Sequence, residues 1–137
     1  MLSKIQEDYI QAIAEIVGEK NYARVSDVSV KLAVKPASVT SMLQKLKKEG
    51  LVQYDKHAPV FLTDKGKETA SRLQLSHALF EQFLITIGVP KHLAVKDALK
   101  IQHNVHPQTL ERMKAFIDHC SYHKMTCSFH CQSAKKC

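Results

Sequence analysis

Chemistry in this chain is concentrated at two places. The first is Lys35-Pro36-Ala37-Ser38-Val39-Thr40-Ser41-Met42-Leu43-Gln44-Lys45-Leu46-Lys47-Lys48, where hydroxyl, amide and ammonium side chains alternate with apolar ones. Hydroxyls and amides hydrogen-bond base edges, and ammonium groups neutralise phosphates, so this mixture suits a helix laid in a DNA groove. The second is the C-terminal stretch His119-Cys120-x-x-His123-x-x-x-Cys127-x-x-His130-Cys131, followed by Cys137. Seven thiol and imidazole groups within 19 residues are the donor types that zinc, copper or an iron–sulfur cluster requires. No Cys-x-x-Cys pair is present, so the spacing matches no strong ligand signature. A second metal centre, a redox sensor and a set of free thiols are all compatible with that composition.

The DNA-type residues need a helix to present them. Pro36 suits its first turn, because the missing N–H would have no intrahelical partner there. Val39, Met42, Leu43 and Leu46 fall on one stripe to be buried, and Gly50 offers the stop. A shorter helix is predicted over 25–34, with Ser26 as N-cap and Val25, Val28, Leu32 and Val34 as apolar positions. Two β-rich runs, 51–54 and 60–62, flank Asp55-Lys56-His57-Ala58-Pro59 and read as a hairpin. Two short helices followed by a hairpin make a winged helix-turn-helix. On it, Pro36, Ala37, Ser38, Thr40, Ser41 and Gln44 are expected near base edges, and Arg24, Lys35, Lys45, Lys48 and Lys56 near phosphates.

The remaining chain reads as helices. Over 2–20, Leu2, Ile5, Tyr9, Ile13, Ile16 and Val17 recur at helical spacing, and Ser3 with Gln6 forms a capping box. A long helix starts at Thr63 or Asp64, carries Ala70, Leu73, His77, Phe80 and Leu84 on one stripe, and ends before Gly88 and Pro90. Further helices are predicted over 92–103 and 109–120, the second with Leu110, Met113, Phe116 and Ile117 on one face. The fold expected is mainly α: a winged helix-turn-helix DNA-binding domain over 1–71, an α-helical dimerisation domain over 72–120, and a Cys/His-rich tail over 121–137. Helix-turn-helix proteins read two half-sites with two copies of the chain, so a homodimer is expected.

A net charge of +7 and a pI near 9.3 favour an anionic partner. Between Lys31 and Lys48 there are five lysines and no acid, which places part of that charge on the DNA-type helix. There is no apolar run of about 18 residues, and Lys4, Glu7 and Asp8 stand where a signal peptide needs apolar residues. A cytoplasmic protein without a membrane segment is expected. No nucleophile–base constellation, Gly-rich phosphate loop or zinc-hydrolase motif occurs, so the residues argue against an enzyme.

Several of these stretches together resemble the diphtheria-toxin-repressor family of metalloregulators. They are Tyr22-Ala23-Arg24-Val25-Ser26-Asp27, Lys35-Pro36-Ala37-Ser38-Val39-Thr40, Leu43-Gln44-Lys45-Leu46 with Glu49-Gly50-Leu51-Val52, and Leu62-Thr63-x-x-Gly66-Lys67. His77-Ala78-Leu79-Phe80-Glu81-Gln82-Phe83-Leu84 and Ile87-Gly88-Val89 continue the likeness, which spans about residues 3–120 and looks closest to the two-domain manganese transport regulators. The resemblance implies a dimeric repressor of metal-uptake genes in which a divalent metal (Mn, Fe or Zn) ties the first helix to the dimerisation helices. The implied ligand positions are Asp8, Gln11, His77, Leu99, Gln102 and His103. The family has acids where this chain has Gln11, Leu99 and Gln102, so Asp8, His77 and His103 carry the strong donors. The alternative is a winged-helix regulator controlled by its Cys/His tail or lacking a metal switch.

Overall fold

The computed structural model describes residues 2–122 and divides into two compact units, with the boundary between Leu73 and Gln74. The expected tail positions His123, Cys127, His130, Cys131 and Cys137 lie outside the described residues.

The first unit begins with α1 (Lys4–Lys20). Its start is the reciprocal box read from the sequence: Ser3 Oγ accepts the Gln6 N–H (3.3 Å) and Gln6 Oε1 accepts the Ser3 N–H (3.0 Å). The next helix, α2 (Val25–Leu32), corrects the expectation for Ser26. Arg24 is the N-cap, and Ser26 already lies inside the first turn. The Asp27 carboxylate reaches back to accept the Arg24 backbone N–H (3.0 Å), so the acid at N3 satisfies the donor that a capping hydroxyl would leave open. The helix α3 (Pro36–Lys48) opens on Pro36 and closes through a Schellman turn. Gly50 (φ 74°) donates to the Lys47 carbonyl (3.0 Å), and Leu51 donates to the Leu46 carbonyl (2.9 Å).

Strands β1 (Val52–Gln53) and β2 (Phe61–Leu62) then pair antiparallel, Val52 opposite Leu62 and Gln53 opposite Phe61. The wing is shorter than the two β-rich runs, but its root is extended by a bridge between Ala23 and Val60, each donating to the other's carbonyl (3.2 and 2.7 Å). Ile10, Ile13, Val28, Val39, Leu43, Leu46, Leu51, Val52 and Val60 are all fully buried in one core. That core fixes how α3 is presented.

The long helix α4 (Asp64–Thr86) follows, with Thr63 Oγ1 accepting the Gly66 N–H (3.1 Å) as its cap. It crosses the boundary between the units. In the second unit Gly88 (φ 97°) ends it by a second Schellman turn, Gly88 to Ile85 (3.0 Å) and Val89 to Leu84 (2.9 Å). The helix α5 (Lys91–Ile101) stops before the predicted end, and Gln102–Asn104 form a 3₁₀ turn. The tighter turn gives the last carbonyls i+3 partners before Val105 becomes extended. The helix α6 (Pro107–Tyr122) starts on Pro107, two residues earlier than its apolar face suggested. Phe83 and Phe116 meet edge to face (6.1 Å), while Phe80, Ala94, Ala98 and Ile117 are buried.

Candidate nucleic-acid interface and metal centre

In α3 the 3.6-residue period separates two faces. Val39, Leu43 and Leu46 are wholly inside, whereas Pro36, Ala37, Ser38, Ser41, Gln44, Lys45 and Lys48 are exposed. Lys35 is exposed at the N-cap. Thr40 is half-buried, and its hydroxyl donates to the Pro36 carbonyl (3.1 Å), which commits its proton but leaves its oxygen as an acceptor. Arg24 is exposed and its guanidinium stands 5.4 Å from the Tyr22 ring centroid, which restricts where the charge can point. Lys56 sits at the wing tip beside His57, whose φ of 67° marks the sharp reversal. Lys47 is held by Asp55 (2.6 Å), joining the end of α3 to the wing.

Ion pairs lock the helices behind this face. Lys20 bonds Asp27 (2.9 Å) and Lys31 bonds Glu15 (2.7 Å), both linking α1 to α2. The hydrogen bond from Lys20 and the Arg24 N–H hold the Asp27 carboxyl below its ordinary range despite partial desolvation. Lys20 and Lys31 are pushed up by Asp27 and Glu15 respectively. Gln6, 4% exposed, also donates to both carboxylate oxygens of Glu49 (2.8 Å each). Capping is the only role of Gln6 that its neighbours reveal, because a partner 43 residues away leaves no local signal.

The metal-ligand positions fall in both units. Asp8 and Gln11 are half-buried on α1, three residues apart and so on one face. In the second unit the three positions Leu99, Gln102 and His103 straddle the end of α5. Only Leu99 lies on α5, and it is 44% exposed, while Gln102 is buried and His103 half-buried on the 3₁₀ turn. Gln102 Nε2 and His103 Nε2 lie 3.2 Å apart. On α4, His77 Nε2 is 3.9 Å from Glu81, and His77 Nδ1 is buried with no hydrogen-bond partner among the described residues. A buried imidazole nitrogen left open is a ligand-type atom. Among the described residues no three His, Cys, Asp or Glu side chains form a ligand group by themselves. His119 and Cys120 lie on α6, where His119 is exposed and Cys120 half-buried as a free thiol.

Residues 1–60 match the model of the iron dependent repressor N-terminal DNA binding domain, and residues 63–126 that of the iron dependent repressor metal binding and dimerisation domain. The HTH-type transcriptional regulators MntR of Bacillus subtilis (strain 168) and Bacillus pumilus (strain SAFR-032) are each 42% identical to it over 113 residues. The match covers 82% of this chain and 80% and 78% of theirs. The chain belongs to the iron-dependent repressor family. Solved members of similar fold include the metal-dependent transcriptional regulator MtsR (TM-score 0.74, 28% identity) and ScaR with bound Zn²⁺ (0.73, 31%). Each alignment covers 82% of this chain and 53% of the other, so the chain spans about half the length of those two. As an iron-dependent repressor family member it is a metal-dependent, DNA-binding transcriptional regulator that acts as a dimer and is not an enzyme. No helix among the described residues is long and apolar enough to cross a membrane.

Proposed function

We propose that the chain is a cytoplasmic homodimeric repressor of metal-uptake genes, in which α3 reads operator bases and metal binding sets its affinity. The observation that carries this reading is the division of α3: three apolar side chains wholly buried, and hydroxyl, amide and ammonium groups exposed opposite them. Ser38, Ser41 and Gln44 supply donors and acceptors to base edges, Thr40 an acceptor, and Pro36 and Ala37 apolar contact. Arg24, Lys35, Lys45, Lys48 and Lys56 bind phosphates. Two copies present two such helices about one DNA turn apart, roughly 34 Å. In functional terms residues 1–71 carry DNA binding, 72–120 dimerisation and 121–137 the tail.

The metal ligands in this reading are Asp8, Gln11, His77, Gln102 and His103. When bound, the ion supplies positive charge that holds these side chains in one arrangement. Asp8 contributes the single carboxylate, His77 and His103 contribute imidazole nitrogens, and the two glutamines contribute neutral carbonyl oxygens. Mn²⁺ favours several hard anionic oxygens, whereas Zn²⁺ and Fe²⁺ accept imidazole readily, so this set favours Zn²⁺ or Fe²⁺ and a single ion. Leu99 cannot ligate. Titration of Zn²⁺, Fe²⁺ and Mn²⁺ against wild type and an Asp8→Ala, His77→Ala double variant tests the assignment. Metal uptake by equilibrium dialysis and DNA affinity are followed together. Metal-dependent DNA binding should be lost in the double variant, and an equal response in both proteins refutes the ligand set.

A further inference from the structure

The C-terminal end of α3 is a joint where three other parts of the first unit meet. Thr63 Oγ1 donates to the Gly50 carbonyl (2.6 Å), the Thr63 N–H to the Leu51 carbonyl (3.1 Å), and Lys65 Nζ to the Glu49 carbonyl (3.1 Å). Those bonds tie the helix end to the start of α4, and the Lys47–Asp55 pair ties it to the wing. Its bond to α1 is the contact between Gln6 Nε2 and both Glu49 carboxylate oxygens. Gln6 is buried and held from behind by Ser3, so it cannot swing out to follow Glu49 without breaking the α1 cap.

We propose that Gln6 is a positioning residue for DNA recognition: through Glu49 it fixes the tilt of α3 against α1, and thereby the register of Ser38, Ser41 and Gln44 on the bases. Base-edge hydrogen bonds tolerate displacements of only a few tenths of an ångström, whereas phosphate contacts made by long lysines are forgiving. Loosening the joint therefore removes discrimination between sequences more than it removes affinity for DNA in general. Because α1 also carries Asp8 and Gln11, the same joint makes α1 the element whose placement α3 follows. The inference rests on α3 being the reading helix.

A swap of the two partners separates positioning from simple stability. Gln6→Glu keeps an acceptor for the Ser3 N–H, and so keeps the cap, but sets carboxylate against carboxylate. Adding Glu49→Gln restores an amide–carboxylate bond with its direction reversed. The probes are a fluorescent duplex selected by the wild-type protein from a random pool, and a shuffled duplex of the same composition. The expected result is a fall of about fivefold in the affinity ratio between the two duplexes for Gln6→Glu, with the double variant returning to within about twofold of wild type. Gln6→Met, which removes the bond without adding charge, should fall equally and covers the case in which Gln6→Glu is unfolded at the assay temperature. An unchanged ratio in Gln6→Met, or failure of the swap to restore it, overturns the proposal. If the wild-type protein selects no duplex at all, the DNA-reading assignment of α3 falls, and the proposal falls with it.

Discussion

Replacing Gly66 with alanine reverses what helix propensity alone expects. Gly66 lies in the first turn of α4, where alanine is ordinarily favoured over glycine by about 1 kcal/mol. A Cβ there would stand 2.0 Å from the Leu51 carbonyl oxygen, 3.1 Å from its carbon and 3.2 Å from Leu62 Cδ2. The oxygen is backbone, and the Thr63 N–H pins it (3.1 Å), so relief requires α4 to move off the Leu51 backbone. Overpacking of this kind costs about 1–3 kcal/mol, and a backbone-to-backbone clash belongs at the top of that range. The net loss is about 2 kcal/mol after the propensity gain. For a unit of this size that lowers Tm by roughly 8–16 °C. Gly18 in α1 is the internal control, since a Cβ there meets nothing within 4 Å. Gly18→Ala should raise Tm by a few degrees. Differential scanning calorimetry of the three proteins decides the matter, and a Gly66→Ala Tm at or above wild type refutes the close approach between Gly66 and the Leu51 carbonyl.

Other consequences are checked with standard assays. Leu43→Ala, at a fully buried position, should lower stability in urea by about 2–5 kcal/mol without changing the wild-type fold of the wing. Lys45→Ala should weaken binding alike on every duplex and reduce the slope of log affinity against log salt by about 1, and a loss confined to one sequence would refute its phosphate role. The Asp27 carboxyl is held below its ordinary value, so its contribution is complete above the usual aspartate range and is lost as pH falls through the lowered value. Thermal melts of wild type and Asp27→Asn should therefore differ near neutrality and converge in acid. Lys20 and Lys31 are raised, so their contributions persist below the ordinary lysine range and disappear only as pH climbs through the raised values.

What could be read from the sequence were features whose cause lies within one turn of chain. Ser3 with Gln6, Pro36 at the start of α3, and Gly50 and Gly88 at helix ends each act on neighbours three to five residues away, and each does so in the structure. The stripe of Val39, Leu43 and Leu46 is likewise a local periodicity with a buried result. The N-cap of α2 differs from the sequence expectation because a serine side chain looks like a cap wherever it stands, whereas here the acid one position later reaches back to Arg24. The 3₁₀ turn at Gln102 carries residues compatible with continued helix, so no residue type there marks the change of pitch. The Ala23–Val60 bridge, the Gln6–Glu49 bond and the approach of Gly66 to Leu51 join distant segments, and no single-window pattern contains both partners. The exposed polar face of α3 is legible because one helix holds it. The proposed metal ligands are spread over three elements, and only likeness to relatives suggests them.

The wing is fastened at its root and open at its tip. Val52 with Leu62 and Ala23 with Val60 anchor both strands, and Asp55 is clasped by Lys47, while Lys56, His57 and Pro59 project beyond these ties. Chain inserted or removed between Lys56 and Pro59 therefore changes the reach of the wing along a phosphate backbone while the anchored root stays in place. Helix and wing can thus diverge at different rates among descendants of this scaffold: α3 by exchange of side chains, the wing by change of length.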